Sequence, residues 1–275
     1  MDRSKGCIWQ SDVFCAATPG EVPDMIPFHK KTIFCTIRMI IPVDIHTHRR
    51  PQVPGTAIVN CFPASFVPQT EGWYSVGIHP WYIASSAASL NDSKARFEEL
   101  LDHPQVLAVG EAGLDKLAEA PLTLQIEVFE YQARLAEEAD KPLIIHLVKA
   151  VDELLKLKQK IQPVKPWIIH GFRGKAALAE EYLRHGFYLS FGEKYQEEAL
   201  CIMPSERLFI ETDESTVSVD TLYERAAILR KTPLEELRRT IRKNVSEIFF
   251  RQEELLVQIK SRTFAITKYI KYLNS

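Results

Sequence analysis

Paired cysteines, a membrane-length apolar run and an excess of charge are all missing from this chain. Its five cysteines (Cys7, Cys15, Cys35, Cys61, Cys201) are odd in number and show no C-x-x-C spacing, which argues against a disulfide framework or a structural zinc knuckle. No apolar stretch approaches the roughly 20 residues that span a bilayer. The short one at residues 32–43, behind Lys30 and Lys31, is interrupted by Arg38 and leads to no small-residue cleavage site, so neither an export signal nor a membrane partner is expected. Unpaired thiols fit a reducing, cytoplasmic setting. Lys and Arg number 34 against 36 Asp and Glu, a formal net charge of −2, which leaves no global attraction for nucleic acid or anionic lipid. Phosphate recognition, where it occurs, has to be local. Internal repeats and low-complexity tracts are absent as well.

What is present is a soluble, core-forming composition: 46% hydrophobic and 25% charged over 275 residues, enough for one barrel-sized domain. Three segments are expected. Residues 1–38 carry scattered Pro, Gly, Asp and Lys without sustained periodicity and read as an irregular extension. Met39, directly before the first core strand, is a candidate start. Residues 39–250 form the barrel, and residues 251–275 form a C-terminal helical tail.

Eight short apolar runs, each ending in a polar residue, predict strands at residues 40–45, 56–61, 73–78, 106–110, 143–145, 167–169, 187–190 and 207–210. They are too apolar for a sheet with one wet face and suit a parallel sheet covered by helices. Residues 123–138 place Leu124, Val128, Tyr131 and Leu135 at helical spacing, and a helix at residues 175–185 ends on Gly186. Strand and helix alternating eight times predict an α/β fold, a (β/α)8 TIM barrel. The first third breaks the pattern. Only residues 49–55 and 62–72 separate the first three strands, and Pro51, Pro54, Pro63 and Pro68 oppose helix there, so the first two outer helices are expected to be missing or shortened. The tail pattern Leu255, Leu256, Ile259, Phe264, Ile266, Ile270 and Leu273 is a candidate cover for the exposed strands, or equally a helix packed elsewhere or a dimer contact. A monomer is the expected state.

The chemistry-bearing residues stand where these strands end. His46 and His48 share one side of the first strand by their i, i+2 spacing. Glu111 closes the fourth strand, His146 the fifth, His170 the sixth and Asp213 the eighth. Singly, each has an ordinary explanation as a core histidine, a cap or a loop carboxylate. Jointly they face one cavity, because C-terminal strand ends of a barrel converge on its mouth, and a cation relieves the cost of leaving four imidazoles and two carboxylates unpaired there. Nitrogen and carboxylate donors without cysteine suit zinc or manganese, with magnesium also compatible. Six ligands exceed the usual set of one catalytic zinc, so two divalent ions are expected, with Glu111 between them. Their excess charge of about +2 favours an anionic substrate such as a phosphate ester. Lys149 and Arg173, just beyond the ligand strands, are expected to clamp further oxygens. Asp44 and Asp115 are expected to support ligands from behind. His79 and Glu211 are weighed as supporting groups or as purely structural ones.

In order along residues 43–250, the motifs D-I-H-T-H, V-G-I-H-P, V-G-E-A-G-L-D, I-I-H, I-I-H-G-F-R-G, G-F-Y-L-S-F, E-T-D and the Lys243–Asn244 pair resemble the TatD family of metal-dependent deoxyribonucleases, part of the amidohydrolase-like barrel group. The resemblance implies that His46, His48, Glu111, His146, His170 and Asp213 bind divalent metal and that the substrate is DNA, cleaved at phosphodiester bonds by metal-activated water. Asp213 and Glu111 are the expected catalytic carboxylates, Asp213 accepting the proton of the water. This chain departs from the family pattern at Lys149, where the family carries arginine, at Gly171–Arg173, and at Glu214 after E-T-D. These changes alter the surface around the ligands. The alternatives are an amide or ester hydrolase acting on a small substrate and a catalytically weakened metal-binding protein.

Overall fold

The computed structural model describes residues 40–83 and 87–250. The expectations for residues 1–38, for Met39 and for the tail at residues 251–275 lie outside the described residues. Eight strands run parallel in the order of the chain: β1 (Asp44–Thr47), β2 (Ala57–Cys61), β3 (Trp73–Val76), β4 (Val106–Asp115), β5 (Leu143–Val148), β6 (Trp167–Ile169), β7 (Tyr188–Phe191) and β8 (Leu208–Ile210). A parallel bridge between Thr47 and Asp213 joins the two edges of the sheet. Its hydrogen bonds run from Asp213 N to His46 O at 2.9 Å and from His48 N to Asp213 O at 3.1 Å. The seam therefore closes at the C-terminal mouth, among the predicted ligands.

Helices α1 (Ala87–Leu101), α2 (Leu122–Glu138), α3 (Val151–Ile161), α4 (Ala176–Arg184), α5 (Glu197–Ile202), α6 (Val219–Leu229) and α7 (Leu234–Phe249) follow from β3 onward. No helix joins β1 to β2, and only a 3-10 turn at Pro63–Ser65 lies between β2 and β3, as the prolines there require. Among the described residues, no helix is long and apolar enough to cross a membrane.

Three strands depart furthest from their expected limits. The first begins at Asp44 rather than residue 40, since Pro42 has no N–H to give a ladder, and it runs on through the histidine pair. The fourth continues to Asp115 and the fifth to Val148, paired through Gly113–His146, Leu114–Leu147 and Asp115–Val148. Gly113 permits this approach, because a Cβ there would lie 1.9 Å from the His146 carbonyl oxygen. Glu111 is consequently inside a strand instead of at its end.

The helix face of α2 also differs. Val128 is buried as expected, but Leu124, Tyr131 and Leu135 are only half-buried, and the innermost positions include Gln125 and Gln132. Each glutamine clasps a strand end that carries site residues. Gln132 accepts from Ile78 N at 2.6 Å and donates to Ile78 O at 3.0 Å, while Gln125 does the same for Asp115 at 2.8 and 2.9 Å. Asn244 of α7 is buried and donates to the carbonyls of Ser205 and Leu208, anchoring that helix to the base of β8.

Candidate metal centre

The strand ends deliver the polar groups in a fixed order around Glu111. His46 and His48 leave β1 on one side while Thr47 turns to the seam. The β4–β5 register slips between Val109 and Ala112, a bulge that contains Gly110 and Glu111 and turns the glutamate into the mouth. Asp213 follows β8 with φ of 54°, a left-handed conformation unusual for a residue with a side chain and enforced here by the seam bonds on either side.

The two oxygens of Glu111 face different groups. Oε2 lies 3.5 Å from His46 Nε2 and 3.4 Å from His48 Nε2, and Asp213 Oδ1 lies 3.8 and 3.5 Å from the same nitrogens. Oε1 lies 2.8 Å from His146 Nδ1, 2.8 Å from His170 Nε2 and 3.3 Å from His79 Nε2. The structure thus brings all six predicted ligands together and adds His79, whose Nε2 points at the same carboxylate instead of standing behind it. Its Nδ1 accepts from Trp81 N at 3.1 Å.

The supporting residues make direct contacts. Asp115 Oδ2 lies 3.2 Å from His146 Nε2, and Glu211 Oε1 lies 3.3 Å from His170 Nδ1 while accepting from Gly171 N at 2.6 Å. Asp44 accepts from Thr212 N and Oγ1 at 3.0 and 2.6 Å and from His46 N at 3.4 Å, tying β1 to β8. Asn60, at the end of β2, was not anticipated. Its Oδ1 accepts from Glu111 N at 2.7 Å and its Nδ2 donates to Glu111 Oε2 at 3.3 Å. The available signal was an asparagine inside the otherwise apolar run of β2.

Electrostatics follow from burial and crowding. Burial opposes ionisation of Glu111, but His170, His146 and His46 outweigh it and hold the carboxyl well below its usual range. Burial likewise opposes a charged His170, and Glu111 and Glu211 overcome it, raising that imidazole well above normal. The Glu111 hydrogen bond raises His48. His79 is lowered, chiefly by burial. Burial pushes Asp44 up to about 7.

The donor set fits a cation. Both ring nitrogens of His46, which is fully buried, lack a hydrogen-bond partner, and an unsatisfied buried polar atom costs roughly 1–3 kcal/mol unless something supplies the missing interaction. Three trios converge closely enough to hold an ion: His46, His48 and Asp213; His46, Glu111 and His170; and His79, Glu111 and His146. A fourth, His170, Glu211 and Asp213, adjoins them.

The two predicted phosphate clamps lie outside this cluster. Lys149 is exposed just before α3, with φ of 56°. Arg173 is exposed and lines a cavity of about 390 Å³ beside Asp213, together with Glu214 and Lys194, a lysine not singled out from the sequence. Glu193, on the same wall, is held by Ser215 Oγ at 2.7 Å.

Fold and site together define a parallel-barrel protein with a cluster of histidines and carboxylates that could hold metal at the C-terminal mouth. The chain belongs to the family described as TatD related DNase, whose model matches residues 67–250. His46 and His48 precede that matched segment. The metal-dependent hydrolase YabD of Bacillus subtilis is 35% identical over 142 residues, covering 48% of this chain and 56% of the relative. The 3'-5' ssDNA/RNA exonuclease TatD of Cronobacter turicensis is 30% identical over 178 residues, 58% of this chain and 64% of the relative. The human 3'-5' RNA nuclease TATDN2 is 31% identical over 169 residues, 57% of this chain and 22% of that protein. The chain therefore spans about half the length of the bacterial relatives it matches. Among solved structures, the TatD homologue YJJV of Escherichia coli superposes with a TM-score of 0.65 at 19% identity, covering 77% of this chain and 99% of that one. A TatD-family hydrolase of Entamoeba histolytica gives 0.55 at 18% identity, with 66% and 76% covered. Both show the shared fold.

Proposed function

We propose that the protein is a divalent-metal-dependent hydrolase that cleaves phosphodiester bonds, a deoxyribonuclease acting on single-stranded nucleic acid. The observation that carries this reading is the two-sided placement of Glu111 between separate groups of imidazoles. Family membership and the nuclease names of two relatives support it over the amide-hydrolase and metal-binding alternatives.

In this reading His46, His48 and Asp213 would hold one ion, His146 and His170 would hold a second with His79 as a further donor, and Glu111 would serve both. Zinc, manganese or magnesium ions bound there supply Lewis acidity towards the phosphoryl oxygens and make a water acidic enough to attack near neutral pH. Asp213, whose side chain is 24% exposed at the mouth, takes the proton of the attacking water. Asp115 and Glu211 fix the rings of His146 and His170 through their second nitrogens. Arg173 and Lys149, joined by Lys194, neutralise phosphate oxygens on either side, and Glu214 narrows the room for a polyanion beside Arg173. The reading includes a monomer in a reducing, cytoplasmic setting. The reducing setting is supported by the free thiols of Cys61 and Cys201, the cysteines among the described residues, and by burial that pushes Cys61 up to about 11.

The test is an assay of purified, metal-loaded protein on single-stranded DNA and a chromogenic phosphodiester, beside amides and lactones. DNA cleavage abolished by chelation is expected. Turnover of amides or lactones alone would favour the small-substrate enzyme, and tight metal binding without any hydrolysis would favour the binding protein. Asp213→Asn is expected to lower kcat at least 10²-fold while metal analysis still detects bound ion; unchanged turnover would remove Asp213 from its role.

A further inference from the structure

Among the described residues, two aromatic side chains are exposed, Trp81 at 63% and Tyr82 at 57%, and they are neighbours in one 3-10 turn (Pro80–Tyr82) at the barrel mouth. Adjacent exposed rings form a contiguous apolar surface that can receive a ligand. These two are held in place. Trp81 N donates to His79 Nδ1, and its indole Nε1 donates to Asp115 Oδ2 at 2.6 Å, the oxygen that also faces His146. The Trp81 ring lies 5.5 Å from the His79 ring and 6.2 Å from that of His146, edge-on to both. Tyr82 leans on Phe62, with ring centroids 4.2 Å apart.

A rigid, water-facing ring two residues from His79 of the cluster is placed to receive the group joined to a phosphate held there. In a nucleic acid that group is a base, one sugar away. Aromatic faces bind bases without regard to sequence, since every base has a π-face. On the far side of the mouth Arg173 and Lys194 offer cationic groups to phosphate oxygens, set among the carboxylates of Glu193, Asp213 and Glu214. We propose that Trp81, with Tyr82 beside it, is a stacking platform for the nucleobase flanking the scissile phosphate, and that it sets a preference for base-bearing strands over bare phosphodiesters. The proposal rests on the phosphodiesterase reading above.

The test compares kcat/KM of the metal-loaded, full-length protein on a single-stranded oligothymidylate and on an abasic oligomer of equal length and charge. Wild type is expected to prefer the base-bearing strand about tenfold, the scale of one base–aromatic stack. Trp81→Gln, which retains a side-chain N–H for Asp115 but no ring, is expected to bring the two substrates to near parity, mainly through KM on oligothymidylate. Trp81→Phe, which keeps a ring without the N–H, is expected to retain most of the preference. If Trp81→Gln keeps the wild-type preference, or Trp81→Phe loses it as fully as Trp81→Gln, the ring only props Asp115 and the platform is refuted. If wild type hydrolyses both oligomers equally, the platform fails and the phosphodiesterase reading stands. If wild type hydrolyses neither, both fail together.

Discussion

Glu111 separates two groups of imidazoles because six side chains face its carboxylate, five imidazoles and one amide. Asn60 supplies both a donor to Oε2 and an acceptor to the backbone N–H, which fixes the carboxylate plane that the histidines face. Removing such a support leaves every ligand present but less well aimed. Asn60→Ala is therefore expected to weaken divalent-metal affinity by about 10- to 100-fold with little loss of folded protein, measured by calorimetric titration and far-UV circular dichroism. Unaltered affinity would reduce Asn60 to a packing residue. At this scale the sequence was informative wherever a histidine or carboxylate broke an apolar run in a recognisable motif. It was silent on Asn60 and on the inward aim of His79, since neither an amide nor a lone histidine reveals from sequence which atom it will meet.

Helix α2 shows how an element away from the chemistry positions it. Its buried glutamines bind both backbone groups of Ile78 and of Asp115, so β3 and β4 end at defined places. Gln132→Met fits the volume but strands a buried N–H and carbonyl, an expected loss of about 2 kcal/mol in urea-induced unfolding. A change below 0.5 kcal/mol would show that the clasp contributes little. Helix α3 carries a different burden. Lys158 lies over Phe187 at 4.5 Å and Trp167 at 5.0 Å, and burial lowers its pKa to about 8. In the unfolded chain it titrates near the ordinary lysine value, so between about pH 8 and 10.5 the unfolded state binds the extra proton and stability rises with pH. Below pH 8 the cost of burying the charge is fully present, reduced by solvent screening and by the aromatic faces. Lys158→Met is expected to stabilise the protein at pH 7 by on the order of 1 kcal/mol and to flatten the rise above pH 8, read from denaturation midpoints at pH 7 and 10. A variant that is less stable at pH 7 would show that the cation–π contacts outweigh desolvation. The strand–helix alternation and the missing early helices were legible from apolar runs and prolines. The inner face of α2 was not, because glutamine counts as an outward residue in any periodicity and is drawn inward only by backbone groups of other strands.

Across the whole molecule, β1 and β8 are joined by the Thr47–Asp213 bridge and by the hydrogen bonds from Thr212 to Asp44, while the candidate ligands come from strands distributed around the ring. Ions bound there would tie opposite sides of the barrel and bind the folded chain far better than the unfolded one. At a free concentration of about 100 times Kd the gain is roughly 2.7 kcal/mol, or about 5 to 10 °C in Tm for a domain of this size. Differential scanning fluorimetry with manganese or zinc against EDTA is expected to show that shift in wild type and a clearly smaller one in His46→Ala; equal shifts would place metal binding elsewhere. The order of the strands, their number and the kinds of side chain at their ends follow from the linear pattern, because alternation and apolar runs are local properties that a parallel barrel has few ways to satisfy. The bulge that turns Glu111 inward, the left-handed Asp213 at the seam, the amide under the carboxylate and the exposed Trp81 pinned to Asp115 depend on register and closure, which join residues far apart in the chain and exist only once the ring is formed.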